Sequence, residues 1–437
     1  MCIPTLHYDK PTYQQDVQKL LATLRAGGLT AGGDESLDVP SIVADILAEV
    51  RKRGDAAAAE LTSRFDRARI RPETLRVEAE TIAAARAQAD DAFMDLIAEA
   101  AENIRQYQQS ILHTDPAPLV RGGRQLSVRY TPVDRVGVYT PGGKAMYPST
   151  VLMTVVPALV AGVRQVVLVS PPTGGEINPM VLALAAELGL EEVYRLGGAV
   201  AVGTLAYGTE TIRPVQKIVG PGNAFVAEAK RQVLGTVGID SIAGPSEVLI
   251  VADHTARADW VAADLLAQAE HDPGSAILIT DSDELAGQVA QQLSGQLNSL
   301  ERASAIRAAL AAYSAIVVVA SLDDAYEMAN EIATEHLQII VSDEQAALER
   351  ITNAGAIFVG PHTPVPLGDY FAGPSHVLPT GGTARFFGPL SCNDFLKASS
   401  ILHYDAESLA ADADRVIDFA TREGLTAHAR AVQIRKQ

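Results

Sequence analysis

The amino-acid sequence predicts an α/β fold: two Rossmann-like βαβ units with parallel-sheet cores, an N-terminal helical segment before them and a small C-terminal helical tail after them. Three observations predict it. Through about the first 110 residues apolar side chains recur at three-to-four spacing, which is helical patterning. From about residue 127 the period changes, and short β-branched runs alternate with helices of about 10–15 residues, the pattern of right-handed crossovers in a parallel sheet. Most of those runs stop at a glycine or proline turn.

Taken in order, VPSIVADILAEVRKRGDAAAAELTSRFD (39–66) is helical with Gly54 ending one helix, and residues 72–112 continue in good helix formers. SVRYTPVDRVGVYTPGG (127–143) alternates like strands. VLMTVVPALVAGV (151–163), broken by Pro157, is too short to span a bilayer and reads as a buried helix. QVVLVSPPTGG (165–175), EVYRLGG (192–198) and KIVGPGN (217–223) are strands entering glycine turns, with helices at NPMVLALAAELGL (178–190) and AVAVGTLAYGTE (199–210). A second series follows: SEVLIVAD (246–253), the helix DWVAADLLAQAEHDPG (259–274), then SAILITD (275–281), AIVVVAS (315–321), LQIIVSD (337–343) and AIFVG (356–360), with a helix before each of the last three. GDYFAGPSHVLPTGGTARF (368–386) has no regular pattern, and helices follow it to the end. The predicted units are 1–125, helical and packing on the core; 126–240, the first α/β domain; 241–367, the second; and 368–437, loop and tail.

Composition excludes several classes. Of the 437 residues 48% are hydrophobic and 20% charged, an ordinary globular balance. The net charge of −18 argues against nucleic acid or an anionic membrane as partner, since both require a basic face. Cys2 and Cys392 lie near opposite ends, which excludes a disulfide framework and suggests a reducing compartment. MCIPTLHYDK has no basic region followed by an apolar core, so no signal peptide is expected and the expected location is the cytoplasm.

The chain carries no G-x-G-x-x-G, P-loop, GxSxG or HExxH. The turns PGGK (141–144), PTGG (172–175) and GPGNA (220–224) could each receive a phosphate, though such turns are more often only turns. Histidines are more informative, in AQAEH, TEHLQ, PSHVLP and LTAH. Gln268 and His271 stand three apart on one helix and so project from one face. Successive strand residues face opposite ways, so Glu335 and His336 can act together only from a turn. Each of these residues also has an ordinary structural role open to it: a satisfied core histidine, a bridging amide, a surface turn. Several such clusters at element ends and loops point instead to a site. A Gln/His/Asp/His set without thiolate suits Zn²⁺, with Mn²⁺ and Co²⁺ open, and a Glu-His pair supplies acid–base chemistry, since an unperturbed His titrates near about 6.5.

GVYTPGGKAMYPSTVLM (137–153), KIVGPGNAFVAEAKRQV (217–233), AGPSEVLIVAD (243–253), LLAQAEHDP (265–273), TEHLQI (334–339), residues 368–386 and EGLTAHA (423–429) together resemble the histidinol dehydrogenases, in order across roughly residues 10–435. The resemblance implies an aldehyde-dehydrogenase-like fold without the usual dinucleotide fingerprint. It further implies a zinc-dependent enzyme of histidine biosynthesis that oxidises L-histidinol to L-histidine with two NAD⁺ through an enzyme-held histidinal. One Zn²⁺ per subunit then falls on Gln268, His271, Asp369 and His428, the catalytic pair on Glu335 and His336, and NAD⁺ contacts on Tyr139 and Asn223. Substrate falls to the metal ligands and the catalytic pair together with Ser246, His376 and Glu423. A homodimer is implied in which the tail bearing Glu423 and His428 completes the neighbour's site. His336 would take the alcohol proton and Glu335 would activate the water that hydrates the aldehyde. One position departs from the family: a cofactor-contacting Gln is replaced by Val200, which cannot hydrogen-bond. The alternatives are a related zinc- and NAD-dependent dehydrogenase of another small polar alcohol, against which Glu423 and His428 argue, and a metal-dependent hydrolase that uses no nicotinamide.

Overall fold

Two parallel sheets and one antiparallel arm organise the chain in the computed structural model, which describes residues 3–30, 37–142, 148–242, 244–271 and 274–436. The N-terminal part holds β1 (Thr5–His7), α1 (Tyr13–Thr30), α2 (Val39–Phe65), α3 (Ala79–Gln88) and α4 (Asp91–Ile111). As expected, Gly54 divides α2: its φ of 54° breaks the helix, and the Glu210 carboxylate accepts the Asp55 N–H at 2.8 Å where the second half begins. Residues 72–112 are not one continuous helix. Ala89 is extended after α3, and Asp90 caps α4 by accepting the Phe93 N–H at 2.8 Å.

The first α/β unit comprises β2 (Leu119–Arg121), β3 (Arg124–Pro132), β4 (Arg135–Tyr139), α5 (Pro148–Val160), β5 (Gln165–Ser170), α6 (Pro179–Glu187), β6 (Glu192–Arg195), α7 (Gly198–Tyr207), β7 (Lys217–Val219), α8 (Ala224–Val233) and β8 (Gly238–Ile239). Its parallel sheet runs β6-β5-β4-β7-β8. The crossovers from β4 build outward through β5 to β6 and then return to β7 on β4's other side, so the order reverses between β4 and β7. The second unit comprises β9 (Ser246–Ala252), α9 (Ala258–Ala269), β10 (Gly274–Thr280), α10 (Asp283–Gln296), α11 (Ala303–Tyr313), β11 (Ala315–Val318), α12 (Leu322–Ile332), β12 (His336–Ile340), α13 (Glu344–Arg350) and β13 (Ala356–Val359), in the all-parallel order β1-β11-β10-β9-β12-β13. Helices cover both faces, which is why β9 to β12 are almost continuously apolar rather than alternating.

Beyond these come α14 (Val365–Tyr370), β14 (Leu396–Tyr404), α15 (Ala406–Arg422) and α16 (Thr426–Gln433). Three expectations change here. The N-terminal segment is not wholly helical, because β1 joins the second sheet beside β11; three residues are too few to show a period of two. The strand in SVRYTP belongs to no parallel sheet, since β3 pairs antiparallel with β2 and β14. The residues after 386 are not only helical, because β14 is a nine-residue strand whose mostly exposed faces show no apolar alternation. The N-terminal helices also serve both units: Val17, Leu21 and Leu24 of α1 pack with Leu249 and Ile277, whereas Val43 and Leu47 of α2 pack with Tyr139 and Val167. No described helix is long and apolar enough to cross a membrane.

Candidate active site

A cleft of about 1030 Å³ opens between the units, lined by Phe93 and Leu96 of α4, Ser149 and Leu152 of α5, Gln268 and His271 at the end of α9, and Asp369 of α14. Gln268 lies in the last turn of α9, and His271 stands just beyond the helix, its N–H donating to the Gln268 carbonyl at 3.2 Å. The expected placement of both on one helix is thus corrected by one step, yet the closing turn still turns both to the cleft. Asp272 and Pro273, expected to stop this helix, lie outside the described residues, as do Gly143 and Lys144 of the PGGK turn. Gly274 opens β10 so close beneath α9 that a Cβ there would meet the Gln268 carbonyl at 2.2 Å. Only glycine permits that passage.

Opposite, Ala333 at φ 53° caps α12 in the left-handed region and turns the chain toward β12. Glu335 remains in the turn and His336 begins the strand, which lets neighbouring residues serve one site as the parity of a strand demands. Glu335 Oε2 accepts the Ser246 hydroxyl at 2.7 Å and the Glu247 N–H at 2.9 Å, and Ser246 Oγ accepts the Gln268 amide at 2.9 Å. His336, 4% exposed, sets Nδ1 at 3.0 Å from the Glu247 carbonyl. A carbonyl only accepts, so Nδ1 carries the hydrogen. Among the described residues Nε2 has no hydrogen-bond partner, and it faces Asp369 Oδ1 at 3.4 Å. Burial alone would depress the imidazolium, but the charges of Glu335 and Asp369 outweigh it and lift the pKa to about 10. Burial pushes the Asp369 carboxyl up, yet the imidazole of His336 beside it holds it below the ordinary aspartate value. His376 donates from Nδ1 to the Asp369 carbonyl at 3.0 Å and meets Thr150 Oγ1 at 3.3 Å through Nε2; burial lowers its pKa.

Ser246, Gln268, His271, Glu335, His336, Asp369 and His376 therefore come together. They do so around the amino ends of β9, β10 and β12, the last two of which follow α9 and α12. Glu423 and His428 do not join them within the chain. Both are exposed on the α15–α16 tail and neither lines the cleft. Among the described residues no group of three or more His, Cys, Asp and Glu is arranged to hold a metal ion.

The first sheet presents its carboxyl ends, with the reversal between β4 and β7. Tyr139 ends β4 buried, its Oη accepting the Gly198 N–H at 3.2 Å, and burial pushes its pKa up to about 12. Exposed Asn223 caps α8, its Oδ1 accepting the Phe225 and Val226 N–H groups. Val200 is 1% exposed on α7 and packs in the same apolar cluster as Tyr139. Gly220, at φ 112°, passes so near β4 that a Cβ would stand 2.1 Å from the Tyr139 carbonyl. Two residues that sequence patterning missed clamp this turn. Buried Lys230 donates to the Gly220 carbonyl at 2.6 Å, its partner Asp240 accepts the Gly220 N–H at 2.7 Å, and the two pair at 2.6 Å. The only sequence signal for Lys230 is a cation on the apolar side of an amphipathic helix. Cys392 is buried against the Gln108 carbonyl and lines no part of the cleft.

Two parallel sheets, with the buried Glu335–His336 pair gathered beside Ser246, Gln268 and Asp369 at the amino ends of the second, define a two-unit α/β protein. The family model for histidinol dehydrogenase matches residues 30–436. The chain belongs to the histidinol dehydrogenase family, an oxidoreductase family. It is 50% identical over 411 residues to the histidinol dehydrogenase of Agrobacterium fabrum, covering 94% of this chain and 95% of that protein. It is 48% identical over 404 residues to that of Rhodopirellula baltica, covering 92% and 88%. The crystal structure of histidinol dehydrogenase from Elizabethkingia anophelis superposes with a TM-score of 0.91 at 32% identity over 99% of this chain and 98% of that one.

Proposed function

We propose that the protein oxidises L-histidinol to L-histidine in two steps through an enzyme-held histidinal, with two NAD⁺ and one Zn²⁺ per subunit. The observation that carries this reading is the buried Glu335–His336 pair, with His336 Nε2 unpartnered and aimed at Asp369 across from Gln268. The donor set suits the metal. Gln268 spends its amide nitrogen on Ser246, which leaves the amide oxygen for an ion; His271 and Asp369 add nitrogen and carboxylate, and no thiol competes. Three donors from one chain leave a position for the partner subunit's His428, brought by an exchanged tail. Asn223 supports the cofactor assignment, because its cap uses only Oδ1 and leaves the amide nitrogen for a ligand. Val200 offers no such contact, so weaker NAD⁺ binding is the expected consequence.

Gln268, His271, Asp369 and the partner subunit's His428 would hold zinc, which would anchor the substrate, and bound NAD⁺ would supply the hydride acceptor. The chain's own groups handle the protons. His336 takes the hydroxyl proton at Nε2 in both oxidations, held in the required tautomer by the Glu247 carbonyl. Zinc held by Asp369 would oppose the field that lifts the His336 pKa, and so free Nε2 to accept. Glu335, fixed by Ser246 and the Glu247 N–H, takes a proton from the water that hydrates the aldehyde. Zinc-loaded protein given limiting L-histidinol and excess NAD⁺ should yield two NADH for each histidinol consumed. A yield of none, as a hydrolase would give, overturns the proposal; a yield of one overturns retention of the aldehyde.

A further inference from the structure

The Glu247 side chain takes no part in these steps, yet it is the ionisable group most deeply set into the site. It is the second residue of β9 and 3% exposed. Its N–H donates to Glu335 Oε2 at 2.9 Å and its carbonyl accepts from His336 Nδ1 at 3.0 Å. The main chain of one residue therefore orients both members of the pair. The side chain governs where that main chain can sit. Oε1 accepts the Gly381 N–H at 2.9 Å, and Oε2 accepts the hydroxyl of buried Thr334 at 3.5 Å. Thr334 immediately precedes Glu335, and Gly381 belongs to the irregular segment that follows His376. A further bond, from the Gly244 N–H to Thr380 Oγ1, ties the same two segments beside it. A carboxyl at the start of an otherwise apolar buried strand, SEVLIVA, is the sequence trace of this arrangement.

We infer that Glu247 is a positioning residue: its buried carboxyl joins β9, the turn before β12 and the Gly381 segment, and so holds Glu335 and His336 in reacting geometry. This role rests on the assignment of Glu335 and His336 as the proton-transfer pair. The charge state follows from the surroundings. Burial, and after it the charge of Glu335, push the Glu247 carboxyl up to about 8. From the turn before β12 the titratable neighbour is Glu335; on β12 it is His336, whose Nδ1 is taken by the Glu247 carbonyl; from the Gly381 segment and Thr334 come only an N–H and a hydroxyl. Through neutral pH the Glu247 carboxyl is therefore uncharged. Above about 8 the ionised Glu247 repels Glu335 and disturbs the geometry of the pair, although the bonds it accepts from Gly381 and Thr334 persist.

The test compares E247A and E247Q with the wild type, after each is shown folded by its melting curve. E247A loses the acceptor for Gly381, so kcat should fall on the order of 100-fold with KM changed far less, because the groups that grip substrate are untouched. E247Q keeps a neutral, planar acceptor, so it should recover most of that loss at neutral pH and carry activity further into the alkaline range than the wild type. Wild-type kcat in folded E247A, or E247Q no better than E247A, overturns the proposal. Where E247A does not fold, E247Q decides alone: an alkaline limb that stays in place overturns it. Hydrogen exchange of the peptide bearing Gly381, measured without substrate, separates this role from the proposed reaction. E247A, or E247Q if E247A does not fold, is compared there too, with E247A exchanging faster and E247Q close to wild type; an E247A rate equal to wild type, or a fast E247Q, overturns the tie whatever the enzyme oxidises.

Discussion

His336 has one ring nitrogen to spare. Nδ1 is committed to the Glu247 carbonyl, so any proton taken from substrate arrives at Nε2. An asparagine at 336 can still donate to that carbonyl but offers no base, and H336N should lower both oxidations by about 10²- to 10⁴-fold. Under the proposed mechanism Glu335 serves the water, so E335Q should slow oxidation of supplied histidinal far more than oxidation of histidinol to the aldehyde. Stopped-flow traces with each substrate separate the two, and unchanged histidinal oxidation in E335Q would refute its role. At this scale the sequence was informative in part: the parity of a strand placed both residues of the Glu-His dipeptide in a turn, whereas Glu335 lies in the turn and His336 opens β12. Glu247, Lys230 and Asp240 were not legible, because their partners lie far along the chain and no local period marks them.

Among elements, β6 shows how the first sheet secures its edge. Glu192 accepts both arms of Arg135 from β4, at 2.6 and 2.7 Å, and the Tyr194 hydroxyl at 2.8 Å. The Arg135 bonds lead in drawing its pKa from 4.5 down to about 2, against the opposing effect of burial. The sign is that of a depressed carboxylate: the stabilisation is complete above 4.5 and disappears as pH falls toward about 2. E192Q should cost about 2 kcal/mol at neutral pH, between the values for exposed and buried pairs. Urea titrations of both proteins should converge as pH falls through that window, and a pH-independent difference would count against the ion pair as the cause. Helices and central strands were readable because periodicity is local, whereas β1 and β14 were not. Their stability comes from strands brought to them by the fold: β11 for one, β3 for the other.

For the whole molecule the tail is decisive. Leu402, Phe419, Leu425 and Ile434 are exposed along β14, α15 and α16, an apolar stretch that the chain itself leaves uncovered. Under the proposed exchange it covers a neighbour and delivers the partner subunit's Glu423 and His428. Removal of residues 405–437 should leave both parallel sheets folded, as judged by far-UV circular dichroism, while abolishing the dimer in light scattering and the bound zinc. Retention of zinc and activity by the truncated chain would exclude sharing.

The sequence by itself determined the alternation of strands and helices and the two parallel units, because those depend on local periodicity and on motifs held within a few turns of chain. Only the tertiary structure decided that the site gathers at the amino ends of β9, β10 and β12, that β14 crosses to β3, that Val200 is sealed in the core, and that a single buried carboxyl ties the catalytic turn to the Gly381 segment. Those outcomes depend on burial and on hydrogen bonds between distant segments, and the cost of leaving a buried polar group unpaired selects each partner only once the chain has folded around it.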